Sequence, residues 1–267
     1  MPNSPMLFEE ENLSKAWGRV FLATLHHPAS NPAPMVLSVV GFQNGIPAEN
    51  SRIRDELDQL LVAHSKNSCN VSAMIIFPFR QWIRQGRPTC EIFSKWCIER
   101  FIPRLKQRDR RNAKGLYFER MMDFRGGADV HEIGKNQLLH LIEWWKRQQL
   151  YQQHRPPHSR MQVACFDPFL DHNHECRPCF PCLQQVSFSY DCNSELTVDA
   201  FYPTQYIFDR AYGNYLGVCH LGAFMAHEMG LNLVRFNCFV ARSEIGGIRK
   251  GDLQALKQLV ENVLDDA

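Results

Sequence analysis

Residues 172–182 read HNHECRPCFPC, the densest run of nucleophilic and metal-ligating side chains in the sequence. Two chemistries fit it. His172, His174, Cys176, Cys179 and Cys182 are donors of the type zinc takes, at short spacing. Against zinc, one Cys-x-x-Cys-x-x-Cys run is too tight for the common fingers, and no second ligand pair stands at the usual distance. In the other reading Cys182 is a nucleophile, because it follows Pro181 and precedes an alternating segment, which puts its thiol at a fixed turn beside a sheet. The plainest reading, small thiols packed in a core, is expected for Cys165, Cys219 and Cys238. A second feature is Arg104 to Lys114 (RLKQRDRRNAK), with six basic residues and one acid. It reads as a solvated loop or helix end, or as a phosphate-binding segment, since arginine forks match phosphate oxygens.

These side chains need elements to hold them. Asn12 predicts an N-cap for a helix through about Leu25, with Leu13, Trp17, Val20, Phe21 and Thr24 on one stripe. Asn50 or Ser51 opens another, to about His64. Met35 to Phe42 and Val71 to Phe77 read as buried strands. Glu91 to Phe101 and Gln137 to Arg147 have helical periodicity. Met161 to Phe166, Gln184 to Tyr190 and Glu195 to Tyr202 read as three strands, the second alternating Val186, Phe188 and Tyr190 with Gln185, Ser187 and Ser189. A long helix follows, about Ile207 to Met229. Gly213, Gly217 and Gly222 weaken it as a helix former, but they permit close packing, so it is expected to lie centrally between other elements. Gly230 ends it, Leu233 to Ala241 is a strand, and Asp252 to Leu264 is an amphipathic helix. With no repeat or break in composition, a single α+β domain over residues 1–267 is the simplest account.

Composition sets the frame. The chain has 267 residues, 45% hydrophobic and 22% charged, which excludes disorder and fibrous architecture. Thirty basic against 28 acidic residues give a net charge of +2. Bulk electrostatics therefore call for neither nucleic acid nor an anionic membrane, although local nucleic-acid binding stays open. No apolar run reaches the roughly 18 residues of a membrane span. Met1 to Glu10 has no basic region followed by an apolar run, so no signal peptide is expected. Ten cysteines are then expected as thiols in a reducing cytoplasm.

The stretch Pro181 to Leu231, PCLQQVSFSYDCNSELTVDAFYPTQYIFDRAYGNYLGVCHLGAFMAHEMGL, resembles thymidylate synthase and the related pyrimidine hydroxymethylases. The shared order is a Pro-Cys before a strand, a hairpin, a second strand, and a turn into a central helix. Upstream, Ser159-Arg160 and the strand MQVACF resemble the family's arginine pair and strand. Gly115-Leu116-Tyr117 resembles its glycine-x-tyrosine, and Asn136-Gln137-Leu138 the helix start that follows. The resemblance covers residues 112–245 and leaves 1–110 poorly matched. It implies a mixed sheet packed with helices around a long central helix. It also implies a homodimer in which Arg160 reaches into the neighbour's site.

By this resemblance Cys182 is the nucleophile that adds to pyrimidine C6, a step needing a thiol of lowered pKa with arginine nearby. Tyr117 relays a proton at C5. Asn214 reads the base edge, and Arg160, with Ser159, holds the 5′-phosphate. Asp167 stands where an asparagine contacts substrate. The implied one-carbon donor is 5,10-methylenetetrahydrofolate. This sequence departs from the family at several positions. Leu183 replaces a histidine, Pro203 the central phosphate arginine, Thr204 a serine, and Tyr206 the folate-contacting aspartate. Arg242 to Gly246 (RSEIG) replaces the ribose motif, and the general-base glutamate has only Glu119 as candidate, by proximity. The expected function is one-carbon transfer to C5 of a pyrimidine nucleotide. The alternatives are a non-catalytic nucleotide- or RNA-binding regulatory protein on that scaffold, or a zinc-stabilised protein.

Overall fold

The computed structural model describes residues 4–26, 34–109, 112, 115–126, 134–150, 155–172 and 182–266. In chain order, β1 (Met6–Glu10) leads to α1 (Leu13–His26) and β2 (Met35–Val39). A small hairpin, β3 (Phe42–Gln43) with β4 (Ile46–Pro47), comes before α2 (Ser51–Ala63), α3 (Cys69–Ile76), α4 (Phe79–Arg84), α5 (Cys90–Trp96) and α6 (Ile102–Arg108). Next are α7 (Tyr117–Met122), α8 (Gln137–Leu150), β5 (Gln162–Ala164) and α9 (Pro168–Asp171). The chain then forms β6 (Gln185–Tyr190), β7 (Glu195–Tyr202), β8 (Gln205–Tyr206), α10 (Tyr212–Met229), β9 (Asn232–Val240), β10 (Ser243–Glu244) and α11 (Gln254–Asp265).

The fold is α+β, as its sequence pattern predicts. Six strands form one mixed sheet in the order β1-β2-β9-β7-β6-β5. β1 with β2 and β7 with β9 are parallel, and the other neighbours antiparallel. On the inner face, Val186 and Phe188 of β6 and Leu196, Val198, Ala200 and Tyr202 of β7 are buried. They belong to a core cluster that runs from Leu13 to Leu264.

Across the outer face a register row joins Leu7, Val36, Phe239 and Phe201. Leu7 is 73% exposed and Phe239 41%. Beside this row, Asn237 donates to Asp199 at 2.8 Å and Arg235 to Ser38 at 2.6 Å.

Helix α10 is the central helix that its small residues predict. All of it is buried except His220, His227 and Glu228. On one side α3 presses against Gly217, where an added Cβ would lie 2.6 Å from Ile76 Cβ and 2.8 Å from the Ala73 carbonyl oxygen. On another side Gly222 faces Val198 and Leu233 of the sheet, where an added Cβ would lie 2.9 and 3.0 Å from their side chains, inside van der Waals contact. Gly230 stops the helix at φ +67°, a left-handed conformation that glycine adopts without penalty.

Local signals hold elsewhere too. Asn12 Oδ1 accepts from the backbone N–H of Ser14 at 2.9 Å, and Asn50 Oδ1 from that of Ile53 at 3.2 Å, so both cap their helices.

The expected strand from Val71 to Phe77 is instead α3. A short apolar run suits a buried helix as well as a buried strand. Two local contacts decide for the helix: Ser68 caps it, and Asp58 accepts the Cys69 N–H at 2.7 Å. The helix expected over Glu91 to Phe101 is longer, running through α5, a wide π-type turn (Cys97–Phe101) and α6. Pro103 cannot donate and its ring clashes with a carbonyl one turn back, and the widened turn just before it relieves that clash. Strand β1 has no counterpart in the sequence reading. No helix among the described residues is long and apolar enough to cross a membrane.

Candidate functional site

Two expected site residues, 65 positions apart, meet. The Tyr117 hydroxyl accepts the backbone N–H of Cys182 at 3.0 Å and, more weakly, that of Leu183 at 3.5 Å. Tyr117 opens α7, and α7 is tied down from two directions. Arg120 donates to both oxygens of Asp171 at 2.5 and 2.9 Å and to the Cys165 carbonyl at 2.8 Å. Gln137, the first residue of α8, exchanges two hydrogen bonds with the backbone of Ala164, at 2.8 and 2.9 Å. Its amide acts as a substitute strand on the free edge of β5, and it also donates to the Arg120 carbonyl at 3.1 Å. Sequence reading placed Gln137 only at a helix start.

Cys182 is half-buried just before β6. Burial raises its thiol pKa above the ordinary range, and the Arg210 guanidinium acts in the opposite direction. The expected lowering is therefore not what this arrangement produces: desolvation outweighs one exposed cation. Burial, and then the neighbouring Cys182 thiol, also raise the Tyr117 hydroxyl. Tyr117 is thereby kept as a proton-bearing phenol.

Arg210 is a residue that sequence reading missed. It lies in a π-type turn, Ile207–Ala211, that leads into α10. Asn214 follows one turn later, hence on the same side of the helix. Asn214 is 6% exposed, and its side-chain amide has no hydrogen-bond partner among the described residues. A buried amide with both functions free is suited to reading a polar ligand edge. Residues 242–246 pack nearby. β10 pairs with β8, and Gly246, at φ +107°, approaches so close that a Cβ there would lie 2.8 Å from Asp209 Oδ1. A buried polar group adjoins from the sheet. Tyr215 donates to Gln205 at 2.7 Å, while Tyr202 Oη and Gln205 Nε2 have no partner among the described residues.

The remaining expected residues behave differently. Arg160 is exposed on a 3-10 turn and lies over the Trp144 ring at 5.8 Å. None of its contacts in this chain is with Cys182, Tyr117 or Asn214. Ser159 is exposed, and its carbonyl accepts from Gln162 at 2.9 Å. Asp167 is 2% exposed. One of its oxygens caps α9 through the Phe169 N–H at 3.0 Å, and the other takes the Gly126 N–H at 3.1 Å. Asp167 therefore works as a helix cap with both oxygens engaged. Glu119 is likewise engaged, with Lys106 at 2.6 Å and the Leu116 N–H at 3.1 Å. Arg104 and Arg108 are exposed, in the first turn and at the end of α6.

His174, Cys176 and Cys179 lie outside the described residues. His172 is exposed, with its ring 5.1 Å from that of Phe166. Among the described residues no group of three potential ligands could hold a metal. Cys165, Cys219 and Cys238 are buried, as expected of core thiols.

In comparisons with known proteins, no family model matches the chain and no curated protein is similar to it.

Proposed function

We propose that the chain is a divergent enzyme of the thymidylate synthase type, activating C5 of a pyrimidine nucleotide for receipt of a methyl or hydroxymethyl unit. The observation that carries this reading is the Tyr117–Cys182 contact, which sets a phenol beside a thiol at a chain turn, with Arg210 near the thiol. The ionised Cys182 sulfur adds to C6, and the C5–C6 π electrons move toward the C4 carbonyl oxygen. C5 then holds carbanion character and exchanges its hydrogen with water, Tyr117 relaying the proton. Expulsion of the thiolate restores the C5–C6 double bond. Asn214 reads the base edge. Arg160 takes the phosphate of a nucleotide bound to the other chain of a homodimer, which suits its exposure.

The residues present do not fit methylenetetrahydrofolate as its usual site does. Tyr206, 40% exposed, offers a phenol where the folate-contacting carboxylate would stand. A reducing cytoplasm suits the free thiols.

The raised Cys182 thiol favours a second reading, a non-catalytic nucleotide-binding protein on the same scaffold. Hydrogen exchange separates the two. A pyrimidine nucleotide tritiated at C5 should release tritium slowly to water without any folate, and Cys182→Ser should abolish release while barely moving the melting temperature. No release from any pyrimidine nucleotide with the intact protein would overturn the enzyme reading. Stoichiometric zinc in the purified protein, lost together with stability in Cys176→Ser, Cys179→Ser and Cys182→Ser alike, would replace both readings with a structural metal site.

A further inference from the structure

A pocket of about 180 Å³ opens between the end of α3, the Phe77–Pro78 turn, the start of α4 and the middle of α10. None of Tyr117, Cys182, Arg210 or Asn214 lines it. Its inner wall is aromatic: the rings of His220 and Phe79 stack 4.5 Å apart and within 7° of parallel. Met74 and Phe77 complete an apolar interior. The size is that of a single ring, since an apolar cavity of roughly 150 Å³ accepts benzene.

The rim is different in chemistry. Arg80, Gln81 and Asn70 line it. Among the described residues Arg80 has no acidic partner and the Gln81 amide no hydrogen bond. Asn70 uses only its oxygen, accepting from Arg54 at 2.9 Å, which leaves its amide N–H₂ free. Arg54 is matched by Glu49 at 2.5 Å and Asp58 at 3.0 Å, so the unmatched charge is that of Arg80. His220 is the polar side chain of α10 that reaches this wall. Burial first, and then Arg80 and Arg54, lower its pKa to about 3, so it presents a neutral ring. An apolar slot of one-ring size below a rim of free donors and one unpaired guanidinium is complementary to a ring bearing a planar anion.

We propose that this pocket is a second binding site, separate from Cys182, for a single-ring aromatic carboxylate, with the ring against Met74, Phe77, Phe79 and His220 and the carboxylate on Arg80. The test uses the full chain and benzoate as probe, followed by the imidazole Cε1–H signal of His220 in NMR titrations. Benzyl alcohol and inorganic phosphate are the comparison probes. Benzoate should shift the His220 signal saturably, at least tenfold more tightly than benzyl alcohol, and phosphate should have no effect. Arg80→Gln, at an exposed position that leaves the fold intact, should erase that tenfold difference by weakening benzoate alone. Met74→Trp, which fills the slot, should abolish both aromatic titrations. Benzoate binding unchanged by Arg80→Gln, equal binding of benzoate and benzyl alcohol, competition by phosphate, or no His220 shift at all would each overturn the proposal. Tritium release at Cys182 is read in the same variants. It should be unaffected, so the fate of this site is separate from that of the enzyme reading.

Discussion

At the scale of residues, the chemistry at Cys182 is a contest between burial and one arginine. Desolvation disfavours the thiolate and Arg210 favours it, and burial has the larger effect. Cys192, by contrast, is exposed. Iodoacetamide at pH 8 should therefore label Cys192 faster than Cys182. Arg210→Gln should slow Cys182 further, by roughly threefold to tenfold, the size expected for one charge several ångströms away in a medium of intermediate dielectric. Labelling of Cys192 should not change. Peptide mapping of timed samples gives both rates, and a Cys182 rate indifferent to the substitution would remove Arg210 from the site.

At the scale of elements, α10 owes its position to missing side chains. Gly217 costs helix propensity, and alanine there would recover about 0.5–1 kcal/mol in an isolated helix. Here the new methyl would meet Ile76 Cβ at 2.6 Å and the Ala73 carbonyl at 2.8 Å, both on or close to the backbone of α3. Neither can swing away as a long side chain could. Overpacking should win, so Gly217→Ala should lose about 1–3 kcal/mol net. Urea unfolding would show it as a lower midpoint at unchanged slope. A variant as stable as the parent would mean that α3 and α10 are not packed so tightly. The same packing positions the candidate site, since the turn leading into α10 bears Arg210, the first turn of α10 bears Asn214, and α3 packs against that helix.

At the scale of the whole molecule, titratable groups shifted by their surroundings set a stability window in pH. His220 is held neutral in the folded chain and accepts a proton near pH 6.5 when unfolded. Its lowered pKa means that the stability tied to it is complete above about pH 6.5 and falls away as pH drops toward 3. Asp58 is also lowered: burial opposes the shift, but the Cys69 N–H and Arg54 outweigh it, so its share is lost only below the ordinary carboxylate range. Between pH 6 and 4.5 the decline should thus be largely that of His220, and His220→Gln should flatten it. On the alkaline side burial pushes the Cys90 and Cys165 thiols up to about 12. Raised thiols stabilise fully below their ordinary value of 9 and lose that contribution as pH climbs through 12. Thermal melts across pH 4 to 11 should therefore trace a plateau between about 6.5 and 9. Sedimentation at micromolar concentration should give a dimer, because the Leu7–Val36–Phe239–Phe201 row leaves an apolar stripe across the sheet face. A 31.0 kDa species would count against that arrangement.

Much of this architecture is legible in the sequence because its causes are local. Asn12 and Asn50 cap helices through bonds that span two or three residues, and the alternation in β6 and β7 follows from a period of two. The spaced glycines of α10 announce a crowded helix before any neighbour is known. What the sequence does not reveal depends on segments far apart in the chain. Whether Val71 to Phe77 becomes strand or helix is undetermined by an apolar run, and is decided by α10 lying alongside and Asp58 holding the Cys69 N–H. The parallel pairing of β1 with β2 brackets a whole helix. The Gln137 amide completes β5 across 27 residues, and Tyr117 reaches Cys182 across 65. Even the direction of the Cys182 thiol shift is a tertiary property. Residue types name the groups that can ionise, but burial and the nearest charge are set by which elements pack around them, and those packings arise only when the chain is folded.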